Sequence, residues 1–173
     1  RGLDPNAPMK DSGVPWLGEV PAHWEMLSLK KVVVLQRGHD LPSELREEGS
    51  VPVISSGGYI GFHSSAQAKG PGIVTGRYGS IGSFVYVEEE DYWPLNTALY
   101  SIELYDNLPR YVWYLLQSLY QHFLLNSMKT AVPGIDRNDI HVVTVAKAPR
   151  KEQELIVREL DATLIAFDGM SRK

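Results

Sequence analysis

The chain has 173 residues, 43% of them hydrophobic, which suits one globular domain with its own core and leaves little room for a second. Its formal net charge of −4 argues against a protein that coats nucleic acid indiscriminately, because that behaviour needs many Lys and Arg to release counterions. Cysteine is absent and the five histidines show no ligand spacing, so neither a disulfide framework nor a metal site is expected.

Residues 1–8 lack periodicity and precede a Met, and residues 1–11 are set aside as an expression remnant or a disordered arm. Over 12–24, turns built on Gly13, Pro15, Gly18 and Pro21 alternate with Trp16, Leu17, Val20 and Trp24, which predicts an irregular clip with its indoles on the core. Short β-branched or apolar runs at 31–35, 51–54, 73–75, 83–87 and 99–104, bounded by Gly, Pro, Ser or Asn, predict strands of a twisted, mostly antiparallel sheet. Helical spacing then appears at Val112, Leu115, Leu116, Leu119 and Phe123, with Asn107 as cap and Pro109 in the first turn. A loop over 129–138 leads to a last strand at 142–146, and Pro149 opens a final helix. No stretch approaches the roughly 18 apolar residues of a membrane span and the start lacks a secretory pattern, so a soluble, cytoplasmic protein without a membrane partner is expected.

The class predicted is α+β: a β-rich domain over 12–148 with a few packed helices, followed at 149–173 by the truncated beginning of a long helix. On that helix Ile156, Leu160, Leu164 and Phe167 form an apolar stripe, which predicts packing on a partner helix in a coiled coil. Folding back onto its own domain is the alternative. Acidic side chains cluster at 44–48, 88–91 and 152–161, whereas 51–87 contains no Asp or Glu and carries His63, Lys69 and Arg77. A buried sheet explains that gap as well as a functional surface does.

The glycine-rich run Gly70-Pro71-Gly72-Ile73-Val74-Thr75-Gly76-Arg77-Tyr78-Gly79-Ser80-Ile81-Gly82 is no phosphate loop. A Walker loop needs Lys and a hydroxyl residue after its last Gly and a helix behind it, and here the strand-like Ser83-Phe84-Val85-Tyr86-Val87 follows. Ser80 lacks the strand-to-helix elbow of a nucleophile, the acids lie in solvated charge runs, and Pro94-Leu95-Asn96-Thr97 only superficially echoes a methyltransferase tetrapeptide. No catalytic residue and no cofactor are expected.

Three segments together resemble the specificity subunits of type I restriction-modification enzymes. Ser12-Gly13-Val14-Pro15-Trp16-Leu17-Gly18-Glu19-Val20-Pro21-Ala22-His23-Trp24-Glu25 is similar to their opening signature. The segment from Pro71 to Gly82 resembles the Gly-rich hairpin of their recognition domains, and Ala148-Pro149-Arg150-Lys151-Glu152-Gln153-Glu154-Leu155-Ile156-Val157 is similar to the Pro-x-x-Glu-Gln start of the helix that follows each domain. The resemblance covers nearly all the chain after Lys10, with Lys147-Ala148-Pro149 replacing the usual Pro-Leu-Pro. It implies a target recognition domain reading one half of a split double-stranded DNA target. The implied partners are methylation subunits, restriction subunits through them, and a second recognition domain in the same chain or in a second copy.

Reading sequence requires Arg, Asn or Gln at base edges and amides, Lys or Arg at phosphates. A Gly-rich tip lets the backbone approach a duplex, so Arg77, Tyr78 and Ser80 are candidates, with internal anchoring of Arg77 as the alternative. A second small-residue loop offers Ser55, Ser56, Gly58, Tyr59 and His63, with Lys69 in the same acid-free stretch. The connector at 128–137 adds Lys129, Thr130 and Arg137, unless it is a plain link with Lys129 solvated. Trp93 and Tyr100 read as core. Two other readings stay open: a protein-interaction adaptor that docks through its terminal helix, and the recognition portion of a fused restriction-methylation enzyme.

Overall fold

The computed structural model describes residues 2–129 and 133–171, with side chains as far as residue 166. Among the described residues twelve strands are formed: β1 Met9–Asp11, β2 Glu19–Pro21, β3 Glu25–Ser28, β4 Val34–Arg37, β5 Val51–Ser55, β6 Gly58–His63, β7 Ala68–Lys69, β8 Gly72–Gly76, β9 Phe84–Val87, β10 Asp91–Pro94, β11 Ala98–Glu103 and β12 Thr144–Lys147. The α-helices are α1 Pro109–Ser118, α2 Tyr120–Ser127, α3 Arg137–His141 and α4 Arg150–Ser171. Two four-stranded sheets, ordered β6-β5-β10-β7 and β4-β11-β8-β9, are joined by two-stranded ribbons β1-β2 and β12-β3. Pairing is antiparallel except between β5 and β10, where Trp93 lies beside Val53 and Pro94 beside Ile54. The class is the α+β arrangement that the sequence predicts.

Strand alternation divides the apolar residues between two interiors, because successive side chains point to opposite faces. On β8, Ile73 joins a core with α1, α2 and α3 while Val74 joins the layer between the two sheets. Leu99 on β11 likewise faces the helices and its neighbours Ala98 and Tyr100 face the other sheet. In the outer sheet Ile54 and Tyr92 point inward, whereas Val53 and Trp93 pack with Leu41 and Leu95. Two-sided burial is why β8 reads as an unbroken β-branched run between glycines.

Several elements differ from their sequence expectation. Met9–Asp11 is a strand paired with β2, so this part of the leading stretch belongs to the fold. Trp24 packs against the main core, but Trp16 is exposed and meets the His122 ring edge-on at 4.6 Å. Leu29–Lys31 is a 3-10 turn, so β4 starts later than predicted. The long predicted helix is two, because Leu119 takes ψ 9° between α1 and α2 and turns both Leu116 and Phe123 onto the core. Asn107 does not cap α1: its amide donates to the Val32 and Leu104 carbonyls. Residues 137–141 form α3, with the Asp136 carboxylate accepting the Asn138 N–H at 2.8 Å, so β12 begins at Thr144.

The root of α4 is fixed by a buried amide. Gln153 is fully buried; its Nε2 donates to Asn107 Oδ1 at 2.8 Å and to the Ala148 carbonyl at 2.9 Å, and its Oε1 accepts the Leu108 N–H at 3.0 Å. Every polar atom of the side chain is thus paired, which is what burial of an amide requires. One turn further, Ile156 and Val157 pack on the main core. Leu160 and Leu164 are 38% and 42% exposed. The predicted stripe therefore splits, with Ile156 on its own domain and Leu160 and Leu164 open, while the Phe167 side chain lies outside the described residues.

Candidate nucleic-acid interface

Segments from several places in the chain meet at one end of the inner sheet. β8 ends at Gly76, whose Cβ, were there one, would collide with the Ser80 carbonyl oxygen, so only glycine lets the 77–82 loop fold back so tightly. Behind it runs β9, a strand, as the exclusion of a phosphate loop requires. The N–H groups of Arg77 and Tyr78 donate to the Thr97 carbonyl at 2.9 and 3.1 Å, and Thr97 Oγ1 accepts the Ser56 N–H at 3.3 Å. One threonine on the β10–β11 turn thereby holds the β8–β9 loop and the β5–β6 tip side by side. The tips touch: a Cβ on Gly57 would lie 3.4 Å from Ser80 Oγ.

The third loop enters from the α2–α3 connection. Ile135 donates its N–H to the Arg77 carbonyl at 3.0 Å, Tyr78 bridges to Gly134, and the Tyr78 ring occupies the space a side chain on Gly134 would need. The fourth contribution is the end of edge strand β4. Together these form an open cleft of about 1040 Å³ lined by Gln36, Arg37, Arg77, Tyr78, Asp136 and Arg137, among others.

Three arginines line this cleft against one lining carboxylate, Asp136, which is already engaged as the cap of α3. Arg77 is half-buried, its guanidinium 4.3 Å from the centroid of the Tyr78 ring, and among the described residues it has no carboxylate partner. Stacking presents the planar guanidinium in a fixed orientation at little entropic cost. Arg37 is tethered to Asp40 at 3.4 Å, and Asp40 also accepts the Asn96 amide. Arg137 is exposed at the start of α3.

The predicted residues divide into two groups. Ser55, Ser56, Gly58, Arg77, Tyr78, Ser80 and Arg137 lie on the converging loops. Lys129 sits nearby at the end of α2 but is paired with Asp139 at 3.4 Å, and Thr130 lies outside the described residues. The other residues are turned elsewhere. His63 is 5% exposed, accepts the Glu47 N–H on Nδ1 and meets the Trp93 ring edge-on, which makes it part of the interior. Tyr59 donates to Glu89 at 2.8 Å and Lys69 pairs with Asp91 at 2.7 Å, so both face the acidic 88–91 turn. Partial burial, then the hydrogen bond and charge of Glu89, push the Tyr59 phenol up to about 12. The stretch from Ser55 to His63 is a hairpin tip followed by strand β6 rather than a loop, which carries these side chains away from the cleft.

Sequence reading missed Gln36 and Arg37, because a run scored for apolar strand residues gave no weight to the polar end of β4. No group of three or more His, Cys, Asp or Glu able to hold a metal occurs among the described residues. No helix of the described residues is long and apolar enough to cross a membrane. Away from the cleft, Trp16, Leu17, Tyr114, Leu115, Ile156 and Leu160 line an apolar groove of about 250 Å³.

The described residues thus form a β-rich domain with a long helix leaving it, which carries arginines from β4, the β8–β9 loop and α3 at one end of its inner sheet. The chain belongs to the type I restriction modification DNA specificity domain family, whose model matches residues 21–168. That family is the non-catalytic specificity component, and DNA target recognition is its role. Among solved structures, the S subunit of a type I restriction-modification system from M. genitalium is similar at TM-score 0.68 and 18% identity, over 86% of this chain and 42% of that one. The HsdS subunit from Thermoanaerobacter tengcongensis gives TM-score 0.69 and 20% identity over 99% of this chain and 42% of that one. A structure described as underlying complex assembly and conformational transition of the type I R-M system gives TM-score 0.72 and 20% identity over 99% of this chain and 43% of that one. The chain thus spans less than half the length of each. No curated protein sequence matches it significantly.

Proposed function

We propose that this domain reads one half of a bipartite double-stranded DNA target through the cleft between β4, the β8–β9 loop and α3, with the β5–β6 tip alongside. The observation that carries the reading is the convergence of Arg37, Arg77 and Arg137 in one open cleft of an otherwise acidic protein. Stacked Arg77 is suited to a base edge, where a guanidinium pairs bidentately with guanine O6 and N7. Exposed Arg137 is suited to phosphate, and the hydroxyls of Ser56 and Ser80 on the two neighbouring tips supply neutral donors, with Ser55 and Gly58 shaping the β5–β6 tip. Lys129 and Tyr78 complete the contact surface.

In this reading α4 continues as a spacer helix, with Leu160 and Leu164 open to a partner helix, and a second recognition domain reads the other half-site. The assembled protein directs methylation subunits and, through them, restriction subunits to the target. A single domain with few cations binds weakly, and linking two raises affinity through effective concentration. The test is selection of bound duplexes from a randomised pool by the wild-type chain and by R77A. Enrichment of one short sequence that R77A blurs supports the reading, and identical enrichment by both sinks it. The adaptor reading, which would use the apolar groove instead, predicts no enrichment at all.

A further inference from the structure

His141 closes the last turn of α3 and lies inside the protein, 5% exposed. Its Nε2 accepts the Leu35 N–H at 2.9 Å. β4 is the outer strand of its sheet and pairs with β11 on one side only, so this N–H on the free edge would otherwise be a buried donor without a partner. The two elements joined by this bond are the two that carry Arg137 and Arg37 into the cleft: Arg137 opens the helix that His141 ends, and Arg37 follows Leu35 by two residues.

We propose that His141 is a positioning residue of the DNA cleft: its neutral imidazole fastens α3 to β4 and thereby sets the spacing between Arg137 and Arg37. This rests on the reading of the cleft as the DNA-binding site. The bond requires an unprotonated Nε2, since protonation places a hydrogen where the Leu35 N–H already points. The charged and titratable groups on the elements packed here are Lys30 and Lys31 on the 3-10 turn, Arg37 on β4, His122 on α2 with Lys129 just beyond it, and Asp136, Arg137 and Asp139 on or beside α3. Burial, then the positive charges of Arg137 and Lys30, hold the His141 pKa below the usual imidazole value, with Asp136 opposing.

A histidine with a depressed folded pKa contributes stability that is present above its unfolded value, about 6.5, and is lost as pH falls below it. DNA binding through the cleft therefore weakens on acidification. That sign is opposite to the usual one, in which protonated histidines favour a polyanion.

The experiment measures binding of a fluorescent randomised duplex pool at low salt to the wild-type chain, H141Q, H141L and R137A in steps from about pH 7.5 down to about pH 5, well below the free imidazole value. Wild type is expected to lose affinity several-fold over that range, while H141Q, whose amide oxygen accepts without titrating, does not change across it. H141L binds weakly throughout, and if it fails to fold, the H141Q comparison still decides. A wild-type affinity that does not fall, or an H141Q profile that falls as wild type does, overturns the proposal. If R137A binds as wild type does, or wild type does not bind, the cleft reading itself fails. If R137A weakens binding and H141Q keeps the wild-type fall, only the role of His141 is lost.

Discussion

The Trp24 indole N–H donates to Glu152 Oε2 at 3.0 Å, and His23 Nε2 meets the same oxygen at 2.7 Å. These residues are more than a hundred positions apart in sequence, and each lies in a segment through which the chain resembles its family. Their meeting shows what those segments do: Pro21 to Trp24 and Glu152 to Gln153 together build the root of α4, with Gln153 buried beneath the pair. Motifs through which the chain resembles its family thus hold the helix to the domain.

Substituting Gln153 with Leu should destabilise the fold without altering the cleft. Leucine matches the volume but leaves the Leu108 N–H, Asn107 Oδ1 and the Ala148 carbonyl without this partner. A buried polar group left unpaired costs about 1–3 kcal/mol. Urea unfolding followed by tryptophan fluorescence should show a lower midpoint with unchanged slope. A midpoint equal to wild type would mean that water reaches this site.

Arg77 and Arg137 should fail differently. Loss of Arg77 removes a stacked guanidinium with a fixed plane, so R77A should relax preference at one base pair by about 1–3 kcal/mol. Loss of Arg137 should weaken binding to all duplexes alike and reduce the slope of log affinity against log salt by about 1. Sequencing of selected pools separates the first effect, and salt titration the second. The same salt slope for R137A and wild type would remove Arg137 from the phosphate contacts.

How much of this was legible in sequence follows from what each signal measures. β8, β9 and β11 were visible because Ile73, Val74, Leu99 and their neighbours are buried on both faces and form apolar runs. β6 was not, because Tyr59, Ile60 and Phe62 lie exposed on an edge strand among glycines and carry no alternation. α3 was marked only by Asp136, a cap that precedes too few residues for helical periodicity to register. Near the cleft, glycine spacing marked the β8–β9 loop, whose Arg77 is among the lining residues. The acid-free stretch misled over Lys69 and Tyr59, because the acids that meet them, Asp91 and Glu89, come from the turn just beyond it. Charge gaps along a chain do not survive folding when a hairpin returns the next segment alongside.

Tyr59→Phe should leave DNA selection unchanged, since its hydroxyl is directed at Glu89 and away from the cleft. It should change alkaline behaviour instead. A phenol raised to about 12 contributes stability that is intact below its ordinary value and is lost as pH rises through the folded one. Isotope-labelled tyrosine should show this phenol ionising about two units later than a free tyrosine, near 10. Ionisation of Tyr59 near the ordinary value would show that the Glu89 bond does not form in solution.

Asp161 sets how α4 leaves the domain. Its Oδ1 accepts from Arg110 Nε at 3.0 Å and from the Tyr114 hydroxyl, and the Arg110 guanidinium lies 4.3 Å from the centroid of Trp113 and 4.9 Å from that of Tyr86. The anchor comes after Leu160, where contacts of α4 with the core have ended. It is half-exposed, so D161A should cost about 1 kcal/mol or less in global stability. The local effect should be larger: amide hydrogen exchange in α4 beyond Asp161 should speed up while α1 stays protected. D161N, which keeps an acceptor for Tyr114 but not the charge for Arg110, should fall between. If exchange beyond Asp161 is the same in D161A as in wild type, the direction of α4 is held by its buried root at Gln153 alone.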